Sequence, residues 1–339
     1  MPALAVAQAL RAEGANVEFI GAARAEAQLV PSAGFTLHAI PAEGLSRSNP
    51  LRALRALARA AVATVRARRM LRAIAPDAVM GAGGYVAGPV LVAALARGTP
   101  VLLTEADSRL GLTNRLLAPF ARRVCLSFPP RGRIGRAGKY VVTGRPIPFP
   151  PQERASSRAR LRLAPEEPMV LVFGGSLGAW SINEAAIEAF SQATMRVLHV
   201  CGRRDFGALS GRARREGYEL VEYFEVEEFA RALAAADVVV ARAGGSVFEI
   251  AAYGVPAVLV PYPHAAGDHQ SENARWMSDA GAAVIVPDRE LTGPRLAADV
   301  EALLGDRGRL QAMSSASRAL ARPRAAFDVA NELLEIARG

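Results

Sequence analysis

MVLVFGGSLGAWSIN, residues Met169–Asn183, is the stretch that decides the fold. An apolar run is followed by a glycine-rich turn with one serine, and then by a segment with helical spacing. A short run of this kind is typical of a strand buried on both faces in a parallel sheet. In doubly wound α/β domains a glycine-rich turn joins such a strand to a helix, and the N–H groups at the helix start can bind a phosphate.

The same pattern repeats along the chain, with short Val/Ile/Leu-rich runs alternating with segments of helical period. Each run is predicted to be a parallel strand followed by a helix. Two such series predict two Rossmann-like, doubly wound domains that face a cleft. The runs are Val17–Gly21, Ala78–Gly81, Pro100–Thr104, Arg123–Phe128 and Lys139–Gly144, and then Met169–Gly175, Arg196–Gly202, Tyr218–Tyr223, Asp237–Arg242, Pro256–Tyr262 and Ala282–Pro287.

A proline-rich stretch separates the two series. Proline lacks the N–H group that helices and central strands need, so we expect residues 149–168 to be a linker with neither. Residues 1–148 are then the N-terminal domain and residues 169–322 the C-terminal domain. Residues 323–339 are predicted to form a C-terminal helix that packs back toward the N-terminal domain.

The composition disfavours several classes of protein. No apolar run reaches the roughly 20 residues of a membrane-spanning helix, and the start of the sequence is not typical of a signal peptide. Cys125 and Cys201 show no disulfide pattern and the four histidines no metal-ligand spacing, so we expect a reducing cytoplasm and no metal or cofactor. The net charge of +9, mostly arginine, reflects either codon bias or anionic partners such as phosphate, lipid or nucleic acid.

Polar loops follow three strands of the second series. In the first loop, N–H groups near Gly178 and the hydroxyl of Ser176 can hold a phosphate, unless the turn is only a tight connection with a serine N-cap. In the second loop, Glu249 lies three residues after Ser246. Its carboxylate therefore either completes a capping box or accepts two hydroxyls of a ribose.

The third loop begins a helix on which Gln270 and Asn273 share one face and which Asp268 can cap. Because parallel strands end at the same edge of their sheet, we expect the three loops to converge at one mouth. The convergence is stronger evidence for a ligand site than any single loop.

In this order and spacing, "GAGGYVAGP", "GLTNRLLAPFARRV", "GGSLGA", "ARAGGSVFEIAAYGVPAVLVPYPH" and "DHQSENA" resemble the MurG family of bacterial glycosyltransferases over essentially the whole chain. The resemblance implies a GT-B fold and an inverting transfer without a bound metal. UDP-GlcNAc is the implied donor. The implied acceptor is lipid I, undecaprenyl-pyrophosphoryl-MurNAc-pentapeptide, which would become lipid II at the cytoplasmic face of the plasma membrane.

The resemblance also implies roles for individual residues. The backbone at Val226 would face uracil, Glu249 the ribose and Gln270 the GlcNAc hydroxyls, while the N–H groups of Gly83 and Gly84 would approach the acceptor's pyrophosphate. The full predicted donor-binding set is Asp107, Gly175, Ser176, Gly178, Val226, Gly244, Gly245, Ser246, Glu249, Gln270 and Asn273, and the acceptor-binding set is Gly83, Gly84, Tyr85 and Asn114.

Two matches to the family are imperfect. The family's "HEQN" reads "TEAD" here, which puts Asp107 where an asparagine would reach the donor. The family's "NPVR" reads "RPIP", so the expected arginine is Pro148, and Arg145 would have to replace its charge from another position.

The family further has a strand and a "GGTxGH" loop just before "xPALAVA", where this sequence has Met1. The resemblance therefore implies an N-terminally truncated chain whose first sheet lacks its central strand. The histidine that the family favours as general base would lie upstream of Met1, so the catalytic residue is unknown. We expect the N-terminal half to be poorly folded and inactive, because the strands beside the missing one would lose their partner.

The segment Leu51–Ile74 is basic and amphipathic, and it is either a helix that lies on anionic lipid or an ordinary solvated helix. Other functions stay open as alternatives, namely another GT-B transferase with a lipid acceptor or a UDP-GlcNAc 2-epimerase. Nucleic-acid binding is disfavoured, because aromatic and basic residues are not interleaved and no nucleic-acid-binding motif occurs.

Overall fold

The computed structural model describes residues 2–22, 26–40, 50–83, 87–130, 138–147, 152–213 and 215–339. The chain divides into two compact units. One comprises Met1–Pro148 with Pro323–Gly339, and the other comprises Phe149–Arg322. All paired strands of both units run parallel.

The first unit alternates helices and short strands. Its helices are α1 (Pro2–Ala12), α2 (Glu26–Ser32), α3 (Pro50–Ile74), α4 (Ala87–Leu95) and α5 (Leu112–Leu117). Its strands are β1 (Glu18–Gly21), β2 (Thr36–Ala39), β3 (Val79–Gly81), β4 (Val101–Glu105), β5 (Arg123–Leu126) and β6 (Tyr140–Val142). Apolar residues of β4 and β5 are fully buried against α3 and α4, which gives this unit its main core. The described residues of this half thus form a compact unit, contrary to the expected poor folding.

The second unit repeats the alternation. Its helices are α6 (Arg154–Arg160), α7 (Trp180–Phe190), α8 (Phe206–Leu209), α9 (Val226–Ala235), α10 (Val247–Tyr253), α11 (His269–Asp279), α12 (Gly293–Leu304) and α13 (Arg307–Leu320). Its strands are β7 (Met169–Phe173), β8 (Arg196–Val200), β9 (Tyr218–Val221), β10 (Val238–Ala241), β11 (Ala257–Leu259) and β12 (Ala283–Ile285). The predicted strands are confirmed in both units.

The sheet of the second unit has the strand order β12-β11-β10-β7-β8-β9. Its first strand, β7, is therefore central, and every residue of β7 is buried. This burial explains the unbroken apolar sequence of β7, because helices cover both faces of the sheet. The carboxyl ends of β7, β8, β10 and β11 lie at one edge.

The strands of the first unit form two separate sheets, β1-β2 and β3-β4-β5-β6. Among the described residues, no strand pairs with the second edge of β1 or β3. The predicted loss of a central strand from this sheet stays a prediction. Strand β2 was missed by the sequence analysis because it is a short, half-exposed edge strand without an apolar run.

The final helix, α14 (Ala325–Arg338), belongs to the first unit. Val329, Ala330 and Ile336 pack in the same cluster as Val6 and Leu10 of α1. Arg123, at the start of β5, forms ion pairs with Glu332 and Glu335 of α14. The helix is thus fixed to the first unit by both apolar and charged contacts.

The prediction that residues 149–168 contain no helix is wrong, because α6 lies within them. Arg158 of α6 is buried and donates hydrogen bonds to the carbonyl oxygens of Ala235 and Ala164, at 2.9 Å and 2.7 Å. These contacts anchor α6 to the second unit. The segment from residue 152 to 164 has no proline, so nothing in its sequence forbids a helix.

In the part of the chain that the structure describes, no helix is both long enough and apolar enough to cross a membrane.

Candidate functional site

At the carboxyl edge of the second sheet, the loop after β7 and the loop after β8 touch through a pair of glycines. Gly178 has a φ of +86°, and a Cβ there would lie 2.1 Å from the carbonyl oxygen of Cys201. Gly202 has a φ of +89°, and a Cβ there would lie 2.1 Å from the backbone nitrogen of Gly178. Only glycine permits both the backbone angles and this approach, so the loops after β7 and β8 form one surface.

Ser176 is exposed in the turn before α7 and is not the N-cap of that helix. The N-cap is Ala179, and no side chain caps α7. The alternative of a serine N-cap is therefore wrong. Space is open above the turn, because a Cβ on Gly175 would meet no atom within 4 Å. An anion at this place would meet the N–H groups of the first turn of an 11-residue helix.

A chain of buried polar side chains lies beneath the two loops. Nδ2 of Asn183 donates to the carbonyl oxygen of Cys201 at 2.9 Å and to the carboxylate of Asp205 at 3.0 Å. Oδ1 of Asn183 meets Nε2 of His199 at 2.9 Å, and Nδ1 of His199 meets the Tyr218 hydroxyl at 2.8 Å. Because an amide oxygen only accepts, Nε2 carries the proton and the Tyr218 hydroxyl donates to Nδ1.

Burial lowers the pKa of His199 to about 3, so this imidazole is neutral at pH 7. Its two ring nitrogens are both engaged inside the core, where no substrate can reach them. His199 is therefore excluded as a general base and instead supports the two loops. Among the described residues, no group of three or more His, Cys, Asp or Glu side chains is placed to hold a metal ion.

Arg242, at the end of β10, ties three elements together at this edge. Its guanidinium donates to the Asp288 carboxylate at 2.5 Å and to the Ser181 hydroxyl of α7 at 2.8 Å. It also donates to the carbonyl oxygens of Val260 and Pro261, just after β11, at 3.2 Å and 3.3 Å. This clamp fixes the starting points of the polar loops relative to one another.

The loops after β10 and β11 converge at Gly244 and Gln270. Oε1 of Gln270 accepts a hydrogen bond from the backbone of Tyr262 at 2.9 Å, and its Nε2 lies 4.0 Å from where a Cβ on Gly244 would be. Ser246 is the N-cap of α10 but makes no side-chain capping bond, so the serine half of the predicted capping box is absent. Glu249 is half-buried in the first turn of α10. The convergence of these loops is confirmed.

The structure also places Asn273 and Val226 of the predicted donor set. Asn273 is fully buried, and its Nδ2 donates to the carbonyl oxygen of Ala243 at 3.0 Å. It therefore holds the loop containing Gly244 and Gly245 from behind, and its predicted contact with the donor stays a prediction. Val226 is the first residue of α9, a helix that a Glu225–Glu228 capping box begins.

In the first unit, the buried carboxylate of Glu105 organises the loop after β4. It accepts from the backbone N–H groups of Asp107 at 3.1 Å and Gly111 at 2.8 Å, and from Nδ2 of Asn114 at 2.9 Å. Nδ2 of Asn114 also donates to the carbonyl oxygen of Thr104 at 2.9 Å. Both amide hydrogens of Asn114 are thus used inside the unit, and Asn114 positions this loop. The predicted donor contact of Asp107 stays a prediction.

The predicted acceptor loop is described only in part. Gly83 is exposed with a φ of +85°, and a Cβ there would meet no atom within 4 Å. Gly84 and Tyr85 lie outside the described residues, as does Pro148. Helix α4 begins at Ala87, directly after this loop.

The sequence analysis missed Glu105, Asp205 and Arg242 as residues that hold the candidate loops. Each comes at or after the end of an apolar run, at the edge where doubly wound sheets bind ligands. Their position was therefore a signal, but their hydrogen-bond partners are distant in sequence and only the fold reveals them.

Comparisons with known proteins agree with this architecture. Residues 1–126 match the glycosyltransferase family 28 N-terminal domain, and residues 169–329 match the glycosyltransferase family 28 C-terminal domain. The UDP-N-acetylglucosamine–N-acetylmuramyl-(pentapeptide) pyrophosphoryl-undecaprenol N-acetylglucosamine transferase of Moorella thermoacetica is 43% identical over 341 residues, which is 95% of this chain and 91% of that protein.

Solved structures show the same relationship. MurG of Acinetobacter baumannii has a TM-score of 0.77 and 31% identity, covering 98% of this chain and 95% of that one. The UDP-GlcNAc 2-epimerase of Neisseria meningitidis bound to UDP-GlcNAc has a TM-score of 0.67 at 14% identity over 98% of this chain and 95% of that one, so it shares the fold alone.

Two α/β domains with parallel sheets and polar loops at the strand ends define a glycosyltransferase of the GT-B fold. Within that class, the chain belongs to glycosyltransferase family 28, and in it to the MurG group.

Proposed function

We propose that this chain transfers GlcNAc from UDP-GlcNAc to the C4 hydroxyl of MurNAc in lipid I, which gives lipid II. The observation that carries the proposal is the 43% identity to the Moorella thermoacetica transferase over 95% of the chain. The converging loops of the second unit add support, because they place hydrogen-bonding groups suited to a diphosphate, a ribose and a sugar next to one another.

The transfer is a single displacement with inversion. The acceptor oxygen bonds to the anomeric carbon while the bond to the diphosphate oxygen breaks, UDP leaves, and the hydroxyl proton passes to a base. The leaving diphosphate gains negative charge, and N–H groups at the start of α7 and around Gly244 and Gly245 would stabilise it without a metal. Such preorganised dipoles need no rearrangement during the reaction.

The remaining donor contacts follow from side-chain chemistry. A carboxylate at Glu249 can accept both hydroxyls of a ribose, and the amide of Gln270 can bind sugar hydroxyls. The backbone at Val226 has the N–H and carbonyl groups that a uracil edge requires. Gly83, with open space beside it, allows the acceptor's pyrophosphate to approach the backbone closely.

The membrane surface is the proposed location, with α3 as a contact. Ala63, Ala67 and Leu71 are buried, whereas Val62 and Val65 on the outer side are more than half exposed. Exposed arginines flank these valines, namely Arg59, Arg66, Arg68, Arg69 and Arg72. Apolar side chains inserted among cations fit an anionic lipid surface, which for a lipid I enzyme is the cytoplasmic face of the plasma membrane.

The proposal is tested by the dependence of UDP release on the acceptor. The chain is incubated with UDP-GlcNAc, with and without a lipid I analogue in detergent, and UDP is quantified. We expect release only when the analogue is present. Release without an acceptor would favour the epimerase alternative, and release with other lipid-linked sugars but not with lipid I would favour a different lipid-directed transferase.

A further inference from the structure

The turn after β8 places two consecutive arginines beside the glycine loop after β7. Arg203 and Arg204 directly follow Gly202, whose backbone touches that of Gly178. Both arginine side chains are exposed. Strands β7 and β8 are neighbours in the sheet, so this turn lies at the same edge as the start of α7.

Arg204 is held by a buried partner. Its Nε and Nη2 donate to the two carboxylate oxygens of Asp205, at 2.7 Å and 3.1 Å, and Asp205 is 4% exposed. Asp205 in turn accepts from Asn183 at 3.0 Å, and one of its oxygens lies 2.9 Å from where a Cβ on Gly178 would be. A bidentate pair on a rigid base fixes the guanidinium beside the glycine loop, while Nη1 takes no part in that pair.

The pair with Asp205 keeps Arg204 charged. The hydrogen bonds to Asp205 raise the pKa of Arg204, and the field of Tyr262 adds to this rise. Tyr262 follows β11, which is separated from β8 in the sheet by β7 and β10. Tyr262 and Arg204 therefore come from loops at the same carboxyl edge of the sheet.

Arg203 points to a different neighbour. Its guanidinium lies over the ring of Tyr223, 4.1 Å from the ring centroid. Tyr223 follows β9, the edge strand farther from β7. Arg203 is thus a matched control, because it has the same charge as Arg204, is also exposed and lies in the same turn.

We propose that Arg204 binds the diphosphate of the donor nucleotide, positioned by the buried chain of Asp205, Asn183, His199 and Tyr218. This inference rests on the proposed function for the identity of the ligand. A fixed guanidinium beside uncapped helix N–H groups would bind the two phosphates and stabilise their charge as UDP leaves. The buried polar chain fixes Asp205, and Asp205 holds the exposed guanidinium in one orientation.

The test compares UDP with uridine, which lacks the phosphates. Affinities of both are measured by titration calorimetry on the full chain and on its Arg204→Gln, Arg204→Lys and Arg203→Gln variants. We expect Arg204→Gln to weaken UDP binding by at least about tenfold and to leave uridine binding nearly unchanged, because only a charged hydrogen bond to phosphate is lost. Arg204→Lys keeps the charge without the bidentate pair and should fall in between, and Arg203→Gln should match the parent.

Equal losses for UDP and uridine would show that Arg204 only supports the fold of the turn, and unchanged UDP affinity would show that it has no contact with the phosphates. An equal effect of Arg203→Gln would mean a diffuse field rather than a binding residue. Failure of the parent chain to bind UDP would overturn both proposals. By contrast, UDP binding that depends on Arg204 without transfer to lipid I would overturn the proposed acceptor alone.

Discussion

Gly178→Ala probes the contact on which the candidate site is built. The added methyl would lie 2.1 Å from the carbonyl oxygen of Cys201, a main-chain atom that cannot rotate away, and 2.9 Å from Asp205. The φ of +86° costs a non-glycine residue about 1–2 kcal/mol, and forcing packed backbone apart costs about 1–3 kcal/mol more. The free energy of unfolding of the second unit should therefore fall by about 2–5 kcal/mol.

Gly175→Ala is the matched control. Gly175 also has a positive φ, +98°, but a Cβ there would meet no atom within 4 Å, so only the backbone strain remains. Thermal unfolding should place the melting temperature of Gly178→Ala below that of Gly175→Ala, by about 2–4 °C for each kcal/mol of difference. UDP affinity should fall along with it. Equal stability of the two variants would refute the close packing of the loops after β7 and β8.

Three further outcomes are expected. Glu249→Ala should weaken UDP-GlcNAc binding by about 1.5–3 kcal/mol in calorimetry, the value of hydrogen bonds to a charged group, and equal affinities would leave Glu249 a purely structural part. Burial lowers the pKa of His199 to about 3, so the parent should lose unfolding free energy as the pH falls below the ordinary histidine value of about 6.5. In urea titrations between about pH 6.5 and 5, His199→Asn should lose less unfolding free energy than the parent. The same dependence of unfolding free energy on pH in both proteins would contradict a buried neutral imidazole. Replacing Arg59, Arg66 and Arg69 by Gln should reduce sedimentation with anionic vesicles, and binding of the parent chain to these vesicles should weaken as the salt concentration rises. Vesicle binding that does not change with salt concentration would contradict a charged lipid-facing surface.

The sequence predicted the central strands of the second sheet well because their burial is complete. A strand such as β7 must be apolar throughout when helices cover both of its faces, so its sequence leaves little choice. Strand β2 is a partly exposed strand, and α6 lies between two proline-containing stretches. Both elements are stabilised by contacts with residues that are distant in sequence. The buried hydrogen bonds of Arg158 to Ala235 and Ala164 could not be seen before the fold brought those residues together.

The candidate site could be predicted from the sequence to about the same extent as the fold. Glycines and polar residues after strands indicated where the loops converge, because parallel strands end at one edge. Which side chains face a ligand depended on packing. Asn273 and Asn114 have the right chemistry and spacing but are buried, and they hold loops in place. Arg204 was inconspicuous in a chain rich in arginine, and only its pairing with Asp205 distinguishes it.

The most direct measurement of the central claim is the product of the reaction. UDP-GlcNAc labelled in the sugar is incubated with the chain and a lipid I analogue, the lipid fraction is isolated, and its new glycosidic linkage is assigned by NMR. The account predicts label in the lipid, joined through a β linkage to C4 of MurNAc. Label found in free N-acetylmannosamine, or attached to the lipid through an α linkage, would contradict it.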